Sequence, residues 1–169
     1  LGAYVSEEVA AANTTPLSAE VPILPVELEG HPLTPGRNAP VFWSGAVTPQ
    51  YFQTLRIPLQ SGRLFTEADS EASEAVALVS AATARQYWPG ENAVGKQIRI
   101  VWENRWRRVV GVVRDVRQYE LTGKTPDYVN GAFYLPYSQS TSLDRQLPTA
   151  MTLMLRTAAN APQVASELR

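Results

Sequence analysis

The chain has 169 residues, 44% apolar and 18% charged, which is an ordinary globular composition with enough length for one domain or two small lobes. Fifteen Lys and Arg against sixteen Asp and Glu leave a formal charge of −1, which excludes a generic binder of nucleic acid or anionic lipid. The absence of cysteine excludes a disulfide framework, a thiolate nucleophile and a cysteine-ligated zinc site, and leaves cytoplasm and periplasm both open. No apolar run approaches the ~18 residues of a spanning helix. The lack of an initial Met and of a basic-then-apolar leader is the pattern of a mature or excised piece.

Residues 1–65 are rich in proline and poor in Lys and Arg, so long helices are not expected there. Val21, Ile23, Val26 and Leu28, punctuated by Pro22 and Pro25, predict an edge-like strand, because proline cannot donate to a ladder. Pro32-Leu33-Thr34-Pro35-Gly36 is a turn, and residues 41–47 return from it as an antiparallel partner. Thr48 and Pro49 open a short helix over 50–55, with Thr48 as its N-cap. A lobe boundary is expected near Ser61, where the composition shifts. Thr66-Glu67-Ala68-Asp69 fits a capping box opening one helical turn. Residues 75–79 read as a buried strand, Ser80 caps a helix through Tyr87, and Trp88-Pro89-Gly90 stops it. A hairpin follows, with strands over 98–102 and 106–113 about a Glu103-Asn104 turn. Residues 133–136 and 151–156 are further strands, and 161–169 begins a helix without a cap. The stretches 123–130 and 138–148 are the most linker-like.

Gly90-Glu91-Asn92-Ala93-Val94-Gly95-Lys96-Gln97 approaches the phosphate-loop pattern but fails its context. A helix ends before it, a strand follows it, and Gln97 replaces the hydroxyl residue, so a tight connection is expected. His31, the single histidine, reads as a surface loop residue, so no histidine-based triad or multi-histidine metal site can form within one chain. Glu67, Asp69, Glu71 and Glu74 lack the glycine and terminal glutamate of a calcium loop and read as a solvated helix start. Asn13-Thr14-Thr15 has the form of a glycosylation acceptor, without a context that gives it weight. Between Lys96 and Arg117 lie seven basic residues against Glu103 and Asp115, interleaved with Trp102 and Trp106. In a strand Arg105 and Arg107 share one face and Trp106 and Arg108 the other, so a solvated edge explains much of the charge. Arg and Trp are also the types enriched at interface hot spots, which makes Trp102, Arg105, Trp106, Arg107 and Arg108 the candidate protein interface. The residues alone thus describe an α+β domain lacking an evident catalytic, cofactor or metal constellation, which favours binding or scaffolding.

The stretch from Thr48-Pro49-Gln50-Tyr51-Phe52 through Gly62-Arg63-Leu64-Phe65 resembles the MacB-like periplasmic core domain of ABC transporter permeases, within the FtsX-like permease family. Further segments are similar in order: Val76-Ala77-Leu78-Val79-Ser80, Trp88-Pro89-Gly90, Val94-Gly95-Lys96-Gln97-Ile98, Val109-Val110-Gly111-Val112-Val113-Arg114-Asp115-Val116 and Tyr134-Leu135-Pro136-Tyr137. The resemblance implies a two-lobe α+β domain: a porter-like βαβ-type lobe over 1–65 and 141–169, incomplete at both ends, and an inserted, smaller β-rich lobe over 66–140. It implies a non-catalytic, cofactor-free domain on the periplasmic or extracytoplasmic face of the cell membrane, tied to that membrane by segments outside this chain. Its implied partners are a second permease copy, a cytoplasmic ABC ATPase and a periplasmic adaptor, with no nucleic acid. Two other readings are a lipoprotein-releasing or FtsX-like permease domain, and a secreted carbohydrate-binding module using Trp43, Trp102 and Trp106 as a sugar platform.

Overall fold

The computed structural model describes residues 6–17, 22–118, 129–140 and 151–157. In chain order these are β1 (Ser6–Ala12), β2 (Ile23–Leu28), β3 (Val41–Val47), α1 (Tyr51–Thr54), β4 (Leu59–Gly62), β5 (Val76–Ser80), α2 (Ala81–Tyr87), β6 (Gln97–Ile100), β7 (Arg107–Val113), β8 (Val129–Pro136), a 3-10 turn (Tyr137–Gln139) and β9 (Thr152–Thr157). The nine strands form one sheet in the order β2-β6-β7-β5-β8-β3-β1-β9, with β4 on β7 and a further pairing between β2 and β3.

That further pairing closes six strands into a ring. On one edge of β2, Leu24 stands opposite Phe42 and the Val26 N–H donates to the Pro40 carbonyl at 2.9 Å. On the other, Val101 N–H donates to the Pro25 carbonyl at 3.1 Å and Glu29 N–H to the Gln97 carbonyl at 2.9 Å. The expectation of an edge strand is therefore corrected. Pro25 is tolerated because its carbonyl alone is used, at the end of the β6 ladder. The boundary expected near Ser61 coincides with no break in the sheet, since β2 and β3 share the ring with β5 to β8.

Side chains alternate across a regular strand, so a closed sheet has one inward set; in β7 the register shift against β5 between Ala77 and Leu78 interrupts the alternation and brings Val109 and Val112 to the same face. Leu24, Val26, Leu28, Phe42, Ala77, Val79, Ile98, Ile100, Val109, Val112, Phe133 and Leu135 form that set as one buried cluster. The opposite face carries a second core, in which Val47, Val76, Leu78, Val110, Val113 and Tyr134 pack with β1 and the α1 aromatics Tyr51 and Phe52. Phe52 meets Tyr134 edge-on at 5.0 Å. Gly111 permits the close approach of β4, because a Cβ there would lie 2.4 Å from the Arg63 carbonyl oxygen.

The helices form largely as the local residues dictate. Ser80 is extended and its hydroxyl accepts from Thr83 N–H, capping α2, and Trp88 ends it with its N–H on the Ala84 carbonyl. At α1 the expected cap is corrected: the Thr48 hydroxyl accepts from Ala11 N–H at 2.9 Å and so serves β1. The helical turn expected at Thr66 is also corrected. Asp69 accepts from Thr66 N–H at 2.8 Å in a non-helical turn, and Arg63 holds both of its carboxylate oxygens at 2.8 Å. The helix expected over 161–169 and most of both linker-like stretches lie outside the described residues.

Candidate functional site

The ring has two ends. α2 follows β5 and closes one of them, packing Ala81, Trp88, Ala84 and Tyr87 against the inner cluster. At the other end β6 stops at Ile100 and β7 starts at Arg107, so the connection is a turn over 101–106, longer than the two residues expected. Glu103 N–H donates to the Ile100 carbonyl at 2.8 Å to begin that turn.

The five residues singled out in sequence divide sharply here. Arg107 is fully buried and, two residues before Val109, shares the face that points into the ring. Its guanidinium donates to both Glu103 carboxylate oxygens, at 2.8 and 3.1 Å from Nη2, with Nε on Oε2 at 3.3 Å. Arg107 is thus corrected from a solvated-edge and interface residue to the polar plug of the ring. A buried charge is tolerable only when paired and hydrogen-bonded, which fixes Glu103 beneath the turn.

The other four lie at the surface. Trp102 is 48% exposed and Trp106 37% exposed. The Arg99 guanidinium sits 5.0 Å from the Trp106 ring centroid and is itself bonded to Glu27. Arg105 donates from Nη2 to the Ser73 carbonyl at 3.1 Å, and Arg108 pairs through Nε with Glu74 at 3.0 Å. Trp43 is buried with Val129 and Ala132 and is not exposed beside these indoles, as the sugar platform requires.

The remaining polar candidates serve the fold. Burial pushes the Asp69 carboxyl upward, but its hydrogen bonds from Arg63 and Thr66 outweigh this and hold it below the usual carboxylate range. Tyr51 and Tyr134 are raised far above the ordinary phenol value by burial, so both are neutral phenols and poor proton acceptors. His31 is exposed, with Nε2 2.5 Å from the Tyr87 carbonyl and its ring edge-on to Tyr87. Asn13 is buried and its Oδ1 accepts from Ala46 N–H at 2.8 Å, which takes it out of reach as a glycosylation acceptor. The Gly90–Gln97 stretch is the tight connection expected, closed by Lys96 N–H on the Ala93 carbonyl. Beside α2 lies an open cleft of about 570 Å3 lined by Gln60, Ser61, Ala84, Arg85, Trp88 and Asn92. Its rim charges are engaged within the chain, Arg85 with Asp115 at 2.9 Å and Glu91 with Lys96 at 2.7 Å. Among the described residues no group of three His, Asp or Glu is placed to hold a metal ion.

A closed strand ring, an adjoining β1–β9 ribbon and an aromatic turn define a class: a strand-rich α+β domain that offers surfaces. The profile of the MacB-like periplasmic core domain matches residues 3–169, and the chain belongs to that family. A curated relative, the macrolide export ATP-binding/permease protein MacB of Aggregatibacter actinomycetemcomitans, is 34% identical over 89 residues, which are 53% of this chain and 13% of the relative. The periplasmic region of MacB from Actinobacillus actinomycetemcomitans superposes with a TM-score of 0.64 at 21% identity, covering 98% of this chain and 65% of that one. The extracellular domain of the noncanonic ABC-type transporter YknZ from Gram-positive bacteria gives 0.60 at 15% identity, covering 95% and 69%. The chain therefore spans a small fraction of the curated relative and about two thirds of the solved domains.

Proposed function

We propose that this chain is the extracytoplasmic domain of an ABC transporter permease subunit that catalyses no reaction itself and passes ATP-driven conformational change to partners outside the membrane during export. The observation that carries this reading is the family match across residues 3–169. The ring supports it physically, because a sheet closed on itself with packed cores on both faces moves as a rigid body and transmits displacement without absorbing it. The proposed partners are a second permease copy, the cytoplasmic ATPase reached through the parent membrane segments, and an adaptor.

The two-lobe division is part of the proposal. The return of the chain to β1 through β9, with Ala10 opposite Met154, supports bringing the outer parts of the proposed 1–65 and 141–169 segments together in a porter-like unit. The membership of β2 and β3 in the ring argues for moving its inner boundary toward the N-terminus. Reporter fusions along the full parent gene product test the reading. One membrane span before this domain, three after it and the domain outside are expected; a product without spans overturns it.

A further inference from the structure

The 101–106 turn combines two properties that a surface connection does not need. It is anchored from below, since fully buried Arg107 holds Glu103 through three hydrogen bonds of 2.8 to 3.3 Å. It also presents apolar surface above that anchor, in Trp102 and Trp106. Both indoles are partly covered, Trp106 beside the Arg99 guanidinium, and the apolar area each still shows to water on the pinned turn is a gain available to association.

The surrounding charge indicates what would associate. Arg108 spends Nε on Glu74, and Arg105 spends one Nη2 hydrogen bond on the Ser73 carbonyl. Their other N–H groups take no acceptor among the described residues, and Arg108 is 52% exposed at its side chain. Planar guanidinium forks suit carboxylates at close range. A bilayer calls for a broad positive field, whereas Arg99, Arg107 and Arg108 pair with Glu27, Glu103 and Glu74, which leaves the charge of Arg105 as a local excess on this turn and not a broad field. We propose that the turn is a preformed docking tip for an acidic, apolar segment of a partner protein, with Trp102 and Trp106 as anchors, Arg105 and Arg108 as carboxylate receptors, and Arg107 as the residue that positions them. The partner's place outside the membrane rests on the permease reading; the surface chemistry does not.

The test follows the tryptophan indole N–H signals of the isotope-labelled chain, of which there are four. Trp43 and Trp88 are buried and serve as internal references. The probe is a synthetic ten-residue peptide alternating Glu and Leu. The Trp102 and Trp106 signals are expected to shift and saturate while the references stay in place, and R105E/R108E is expected to weaken binding by about tenfold or more. Phosphatidylglycerol vesicles are expected to leave all four signals unmoved. No shift with peptide, or equal affinity in R105E/R108E, overturns the proposal, and a response to vesicles alone reassigns the tip to the membrane. R107K, which keeps the charge and loses the fork, is expected to weaken peptide binding at a temperature where the chain is fully folded; E103Q serves if R107K does not fold. Unchanged affinity in a folded variant of either kind removes Arg107 from the positioning role. The topology experiment does not touch these outcomes, so the two readings fail separately.

Discussion

The two ends of the ring solve one problem with opposite chemistry. A closed sheet leaves its apolar interior open at both mouths, and water entering there would undo the burial that holds it. At the α2 end the seal is apolar: Trp88 is almost wholly buried, and its indole N–H donates to the Glu29 carbonyl at 3.1 Å. At the turn end the seal is the Arg107–Glu103 pair, which costs desolvation and recovers it only through geometry. The ionic seal additionally fixes the shape of the turn above it, and that turn is where the exposed indoles stand.

Breaking the apolar seal has the largest expected effect. Trp88→Ala is expected to cost about 3–5 kcal/mol in chemical unfolding, from the lost burial and the cavity left behind. Arg107→Met is expected to cost about 3 kcal/mol, because Glu103 keeps a carboxylate that is nearly buried while the bidentate guanidinium against it is removed. Adding Glu103→Leu to Arg107→Met is expected to restore most of that stability without restoring peptide binding, which separates the seal from the positioning role.

A smaller effect sharpens the comparison through pH. Asp69 accepts from Arg63 and Thr66, and its backbone carbonyl accepts from Ser138 at 2.6 Å. Its carboxyl lies below the ordinary value in the folded chain, so its stabilisation is present above the unfolded value of about 4 and is lost as pH falls through the lower folded value. Asp69→Asn is expected to cost about 1–2 kcal/mol at neutral pH and to flatten the acid limb of a pH–stability curve. Smallest of all, Trp102→Ala is expected to change stability by less than about 0.5 kcal/mol, since that ring is half exposed.

The same contrast explains what could be read from residues alone. The strand at 75–79, the Ser80 cap, the Trp88-Pro89-Gly90 stop and the pairing of 41–47 with the preceding strand were legible because alternation and capping are local. Ring closure was not, because it depends on β2 using both edges, and Pro25 within it and Pro22 just before it argue locally against that. The fate of Arg107 was equally hidden. Strand alternation correctly set it apart from Arg108, but no local pattern says which face of β7 looks into the ring, so the identical side chains of Arg107 and Arg108 looked interchangeable. Its one available signal was the Glu103 four residues earlier, at a separation that a short two-residue turn would not have turned inward.

The central claim, that the domain is carried as a rigid body by an ATP-driven cycle, is most directly tested by a distance between two copies. The chain has no cysteine, so Asn104→Cys on the exposed turn supplies one spin-label site once any cysteines elsewhere in the parent protein are replaced. Measured by pulsed electron resonance in the full-length parent protein in lipid nanodiscs, the distance between the labels of two copies is expected to shift between the nucleotide-free and ATP-trapped states. An unchanged distance between copies in both states would contradict the account.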